Sequence, residues 1–158
     1  MNLQPTLHND LVLLQPLKES DFEDLFKVAS DPLIWEQHPN SDRYKRDVFQ
    51  KYFNGAIESN GAFLILDKNN NSIIGCTRFY EYNEEDSSVA IGFTFIDRAH
   101  WGIGYNSAIK KLMIDYAFQS VKNIYFHVGL TNYRSQKAVE KLGAVKVAET
   151  DKITYLIC

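Results

Sequence analysis

Between Ala62 and Asp97 three strand-like stretches follow one another, "AFLILD", "SIIGCTRFYEY" and "SSVAIGFTFID", separated only by short Asn-rich and acidic turns. Connections this short reverse the chain, because a parallel pair needs a crossover of a dozen or more residues. Neighbouring strands of this block are therefore antiparallel, and the rest of the chain must cover the sheet they begin. Gly75 and Gly92 shift the alternation inside two of them. A strand glycine marks a bulge, a close backbone approach or simply a tolerated small residue.

The flanking segments read as helices and further strands. "LVLLQPL" (Leu11 to Leu17) is a first strand, and Ser20 with Glu23 has the spacing of a capping box ahead of Phe22, Leu25, Phe26 and Ala29. Phe49, Tyr52, Phe53, Ala56 and Ile57 form the apolar face of a second helix that ends near Asn60 and Gly61. Ile109, Leu112, Met113, Tyr116 and Ala117 give a third helix one buried side, with Lys110, Lys111 and Asp115 expected to point away from it. "NIYFHVGL" is a strand, Asn132 to Leu142 a fourth helix closed by Gly143, and "AVKVAE" with "KITYLIC" a terminal strand pair. The order is β-α-α-β-β-β-α-β-α-β-β, so the expected class is α/β (α+β), a mixed sheet with helices on its faces.

No linker, repeat or low-complexity stretch divides the 158 residues. A chain of that length buries about two-thirds of its unfolded surface, so 1–158 are expected to form one domain. A net charge of -3 leaves no basic footprint for nucleic acid, and Lys45, Arg46 and Lys51 are too few to make one. A small phosphate-bearing ligand stays open, because backbone amides hold phosphate without net positive charge. Cys76 and Cys158 lack metal-type spacing and fit a reducing compartment. The first residues, "MNLQPTLHND", carry no basic start followed by an apolar run, and no stretch approaches the roughly 18 apolar residues of a membrane span. These features set the expectation of a cytoplasmic protein without nucleic-acid or membrane partners and without a metal.

The most informative local feature is "HWGIGYNSAIKKLM", where a strand ending at Asp97 passes through Gly102 and Gly104 directly into the third helix. Free N–H groups and the positive end of the helix dipole meet there, and glycines let an anion approach the main chain without meeting a Cβ. Taken alone, two glycines also fit an ordinary turning loop. The ATP-type phosphate loop is excluded by the lack of a following Lys-Ser/Thr, and the dinucleotide fingerprint by Ser107 where a third glycine belongs.

"WGIGYN" followed by an amphipathic helix resembles the acetyl-CoA loop, Q/R-x-x-G-x-G/A, of the GNAT N-acetyltransferases. Trp101 stands in the Q/R place, Gly104 at the glycine, and Asn106 where Gly or Ala is usual. Trp in that place is similar to the ribosomal-protein-acetyltransferase-like branch. So is "TNYRSQKAVEKLGA", whose Asn132, Ser135, Glu140, Lys141 and Gly143 match that branch's N-x-x-S-x-x-x-x-E-K-x-G helix. "IGFTFI" (Ile91 to Ile96) resembles the strand before the loop. The resemblance implies a GNAT fold of about six to seven strands and four helices, splayed between the fourth and fifth strands, with acetyl-CoA as acyl donor. It places the pyrophosphate on the amides of Gly102, Ile103, Gly104, Tyr105 and Asn106, and the pantetheine along Phe95 and Ile96. Asn132 and Ser135 either contact the cofactor or only cap their helix, and Trp101 either covers the pyrophosphate or packs under the loop.

The implied reaction is direct attack of a primary amine, on a protein or peptide or on a small molecule, upon the thioester. An ammonium with a pKa near ~10.4 must first lose a proton, and a strand N–H near Phe95 or Ile96 stabilises the oxyanion by about 3 kcal/mol. Two family positions depart from the pattern: Ala90 stands where many relatives have Glu, and Val139 where many have a Tyr general acid. Catalytic candidates are then Glu81 and Tyr82 on the adjacent strand, His127 on the next, and Tyr133. Glu81 also reads as a solvated edge residue, and His127 as a hydrogen-bonded structural histidine. Trp35 and His38 either line an acceptor pocket or belong to the core. The departures leave a second reading, a GNAT-fold module that binds CoA or acyl-CoA without turnover. The resemblance also allows a homodimer.

Overall fold

In the computed structural model, which describes all residues from Met1 to Cys158, the three-strand block forms as the sequence requires. β1 (Leu7–His8), β2 (Val12–Pro16), β3 (Ala62–Asp67), β4 (Ser72–Asn83) and β5 (Ser88–Ile96) pair antiparallel in chain order. β6 (Asn123–Gly129) then joins β5 in parallel, and β7 (Val145–Glu149) and β8 (Lys152–Ile157) complete an eight-stranded sheet of order β1-β2-β3-β4-β5-β6-β8-β7. The strand beyond the expected six to seven is β1, too short to show alternation, held by pairing Leu7 with Leu14 and His8 with Leu13.

Four α-helices cover the sheet: α1 (Phe22–Ala29), α2 (Arg46–Ser59), α3 (Tyr105–Ala117) and α4 (Tyr133–Lys141). The architecture is thus the mixed α/β class expected. Leu25, Phe49, Tyr52 and Phe53 of α1 and α2 pack with Leu64, Cys76 and Phe95 on one face. Ile109, Met113 and Ala117 of α3 and Val139 of α4 pack with Ile65, Phe79, Ile91 and Phe126 on the other. The sheet therefore has helices on both faces, as a buried mixed sheet needs.

Local chemistry departs from expectation at the start of α1. Ser20 and Glu23 do not form a capping box: a short 3-10 turn occupies Glu19–Asp21, and Asp21 accepts from the Lys18 amide at 2.8 Å. Glu23 is instead drawn to Arg46 of α2, whose guanidinium reaches both carboxylate oxygens at 2.6 and 2.8 Å. A bidentate ion pair outcompetes a single backbone N–H for the same carboxylate.

Of the two strand glycines, Gly75 permits a close approach: a Cβ there would lie 1.9 Å from the Phe95 carbonyl oxygen across the β4–β5 pair. β4 and β5 also slip register between Cys76 and Arg78, and Phe93 takes a left-handed φ of 52°. The Tyr52 hydroxyl donates to the Phe93 carbonyl and holds this bulge in place. A bulge re-aims the strand that carries it, and here that strand borders the site.

Candidate functional site

β5 and β6 pair only through Ser88–Asn123, Val89–Ile124 and Ala90–Tyr125, although the strands continue to Ile96 and Gly129. Beyond Ala90 they separate, and the main chains of both border a gap. This gap is part of a cavity of about 570 Å³ lined by Ile91 to Ile96, by Phe126 to Gly129, and by residues of α3 and α4.

The glycine join closes one end of the gap. Gly104 is the N-cap of α3 with φ 93°, Gly102 has φ 71°, and no atom lies within 4 Å of where either Cβ would stand. No side chain caps the helix, and none of the amides from Gly102 to Ser107 donates to another group of the protein. Six successive unfilled donors at the positive end of a helix, beside an apolar strand, fit a pyrophosphate with an attached arm. The loop is anchored from below: His100 bridges Asp97 and Asp67, at 2.9 Å to the latter, and the Tyr105 hydroxyl donates to Asp67 at 3.2 Å.

The open space at Gly104 is testable. Gly104→Ala places a methyl where the anion approaches and strains a left-handed residue by about 1–2 kcal/mol. The expected result is at least a tenfold loss of acetyl-CoA affinity by calorimetry with a melting shift of only a few degrees. Unchanged affinity would remove the loop from the site.

The structure sorts the remaining cofactor candidates. Trp101 donates from its indole to the Ile96 carbonyl at 3.1 Å, with the Arg134 guanidinium 3.8 Å over its ring, so it packs under the loop while also lining the cavity. Asn132 caps α4 by accepting from the Ser135 amide at 3.4 Å. Its amide nitrogen has no acceptor in the protein, and the residue, 4% exposed, lines the cavity. Both of its roles are thus compatible with one geometry. Ser135, Phe95, Ile96, Gly102 and Asn106 line the cavity too, whereas Ile103 and Tyr105 do not. The Ile103 side chain projects to solvent and that of Tyr105 into the core, leaving only their amides for a ligand.

Of the catalytic candidates, Glu81 and His127 come together across the end of β5, with Glu81 Oε2 3.6 Å from His127 Nε2. His127 lines the cavity and its Nδ1 meets Thr154 Oγ1 at 3.1 Å, so it is both hydrogen-bonded and on the site wall. Glu81, left-handed at φ 52°, stands just outside the lining. Tyr82 is placed elsewhere: it packs against the α3-side core while Tyr80 faces the cavity, because the β4–β5 register slips between Tyr80 and Asn83, with Glu81 left-handed, and the irregularity reverses the facing of the residues beyond it. Tyr133 is mostly exposed and outside the lining. Trp35 is core, its indole donating to the Ala29 carbonyl at 2.8 Å, while His38 lines the cavity. Burial pushes the His38 imidazole down to about 4, with like-charge repulsion from Arg43 and Arg134 added.

Lys110, expected to point away, is 6% exposed and lines the cavity. Its ammonium donates to Thr94 of β5 at 2.6 Å, and Thr94 in turn shares a 2.8 Å hydrogen bond with Thr77. No carboxylate faces it, and burial alone lowers its pKa to about 7. A second stripe of α3, Asn106–Lys110–Ile114 at i, i+4 spacing, lies beside the core stripe, and its first two members border the cavity.

The family model for the acetyltransferase (GNAT) domain matches residues 12–145. The chain is 30% identical to the uncharacterised N-acetyltransferase YjdG of Bacillus subtilis (strain 168) over 143 residues, 86% of this chain and 82% of that one. An acetyltransferase of the GNAT family from Bacillus anthracis superposes with a TM-score of 0.80 at 17% identity, covering 97% of this chain and 98% of its own. A ribosomal-protein-serine acetyltransferase, so titled, from Vibrio cholerae superposes with a TM-score of 0.78 at 11% identity, covering 99% of each chain. At those identities the superpositions show the fold alone, but the family match spans most of the chain and includes both limbs of the gap. The chain therefore belongs to the acetyltransferase (GNAT) family and is an N-acetyltransferase.

Proposed function

We propose that residues 1–158 act as one domain that transfers acetyl from acetyl-CoA to a primary amine by direct attack, without a covalent enzyme intermediate. The observation that carries this reading is the gap between β5 and β6 opening onto the unfilled amides of Gly102 to Ser107. Acetyl-CoA supplies the acyl thioester when bound. The amides from Gly102 to Asn106 hold its pyrophosphate, the main chain of Phe95 and Ile96 lies along its pantetheine arm, and Asn132 and Ser135 supply polar contacts from α4. His127 is placed to take the amine proton: it is on the cavity wall, fixed through Nδ1 by Thr154, with Glu81 beside Nε2 to stabilise the imidazolium. The Trp101 loop and the α4 motif favour the ribosomal-protein-acetyltransferase-like branch. No helix is long and apolar enough to cross a membrane, which is consistent with the cytoplasmic expectation.

Calorimetric titration with acetyl-CoA, beside CoA and ATP, tests the reading. Micromolar or tighter binding of both CoA species without comparable ATP binding is expected. Ligand at 100 times Kd adds about 2.7 kcal/mol to stability, enough to raise Tm by several degrees. No heat and no melting shift would overturn the cofactor assignment.

A further inference from the structure

The cavity contrasts with the chain that forms it. The protein carries 20 acidic and 17 basic residues, yet no Asp or Glu lines the cavity, while Arg43, Lys110, Arg134, Lys137, Lys141 and Lys152 do. Those on and around α4 stand at the cofactor side. Arg43 does not: it belongs to the segment between α1 and α2, beside His38 and Asn40.

Arg43 rests on an aromatic wall. Its guanidinium lies 5.2 Å from the Tyr52 ring, 5.7 Å from Trp35 and 5.9 Å from Phe93. Behind it the buried Arg78 stacks 3.9 Å from Phe93, so two guanidiniums share the same rings. Neither joins any ion pair in the structure, whereas Arg46 and Arg98 elsewhere each have a carboxylate. The Arg43 guanidinium makes no hydrogen bond within the protein, and its nitrogens are not sealed from solvent, so its planar fork is held at the cavity wall with its donors unused. A rigid, unpaired guanidinium on aromatic faces is a site for a bidentate oxyanion.

We propose that Arg43 is the acceptor-anchoring residue, and that the amine acetylated by this protein carries an oxyanion group, a carboxylate or a phosphate, which Arg43 binds. The inference rests on the acetyl-transfer reading and names its substrate class. Cationic acceptors such as polyamines fit badly, since they would bring ammonium groups into a lining that holds six cations and no Asp or Glu, Glu81 standing outside it. An anionic acceptor gains an ion pair. The same positive surroundings disfavour the ammonium form of its amine and so favour the neutral form that attacks.

Paired acceptors test this: leucine against leucinamide, O-phosphoethanolamine against ethanolamine, and spermidine as a cation. CoA release is followed with the native protein, Arg43→Gln and Arg43→Lys. The native protein is expected to favour at least one oxyanion member over its neutral partner by tenfold or more in kcat/KM. Arg43→Gln is expected to abolish that preference, the oxyanion member losing tenfold or more relative to its neutral partner, and Arg43→Lys to retain part of it. Preference for leucine or for O-phosphoethanolamine distinguishes carboxylate from phosphate. Equal rates within both pairs, a preference for spermidine, a preference that survives in Arg43→Gln, or no transfer to any member would overturn the proposal. Acetyl-CoA titration on the same three proteins separates this failure from failure of the cofactor reading: the latter gives no heat with acetyl-CoA, the former gives normal heat without charge preference.

Discussion

Lys110→Met is expected to make the folded protein more stable, by about 2–5 kcal/mol near neutral pH, with a rise in Tm of roughly 5–15 °C. The lysine is buried without a counter-charge, and its pKa falls from 10.5 in the unfolded chain to about 7 in the fold. The ammonium is thus disfavoured in the folded state. That penalty is fully present below pH 7, shrinks as pH rises from about 7 toward 10.5, and is gone above it. Native stability should therefore climb through this window, and the slope should be missing in Lys110→Met. Methionine fills a similar volume with apolar surface, so little cavity cost offsets the gain. A protein that keeps such a charge trades stability for use of the site, and acetyl transfer by the variant is expected to fall at least tenfold. Urea unfolding at pH 6, 8 and 10 checks the stability claim, and a variant less stable than the native protein at pH 6 would refute it.

His127→Gln is expected to lower kcat by about 100-fold or more, the usual range for loss of a positioned proton acceptor, while acetyl-CoA affinity stays within about twofold. Glu81→Gln should cost less, because Glu81 acts through the imidazole at 3.6 Å and is well exposed to water. Pre-steady-state measurement of CoA release separates the chemical step from product release. A native kcat in His127→Gln would transfer the proton-accepting role elsewhere, and a cavity lysine with a pKa of about 7 would be the next group to examine.

Much of this arrangement was legible in local pattern. The antiparallel order of β3, β4 and β5 followed from turns too short for a crossover. The bounds of α2 and α4 followed from Asn60, Asn132 and Gly143 at their ends, and the glycine join located the uncapped start of α3. Lys110 was misread because a helix touching one surface has one apolar stripe, whereas α3 is covered over a wider arc and presents its next stripe to the cavity. A lysine there has the same local pattern as one in solvent. Tyr82 was grouped with Glu81 by adjacency, but neighbouring strand residues face opposite sides of the sheet.

What the sequence by itself determined, then, is what neighbours within a few residues decide: element type, chain reversals, the ends of α2 and α4, and the glycine join with its amides from Gly102 to Asn106. The parting of β5 from β6, the meeting of Glu81 with His127, and the seating of Arg43 on Trp35, Tyr52 and Phe93 were decided only by tertiary structure. Each joins residues distant in the chain through packing and charge, and such contacts leave no periodicity in any one segment.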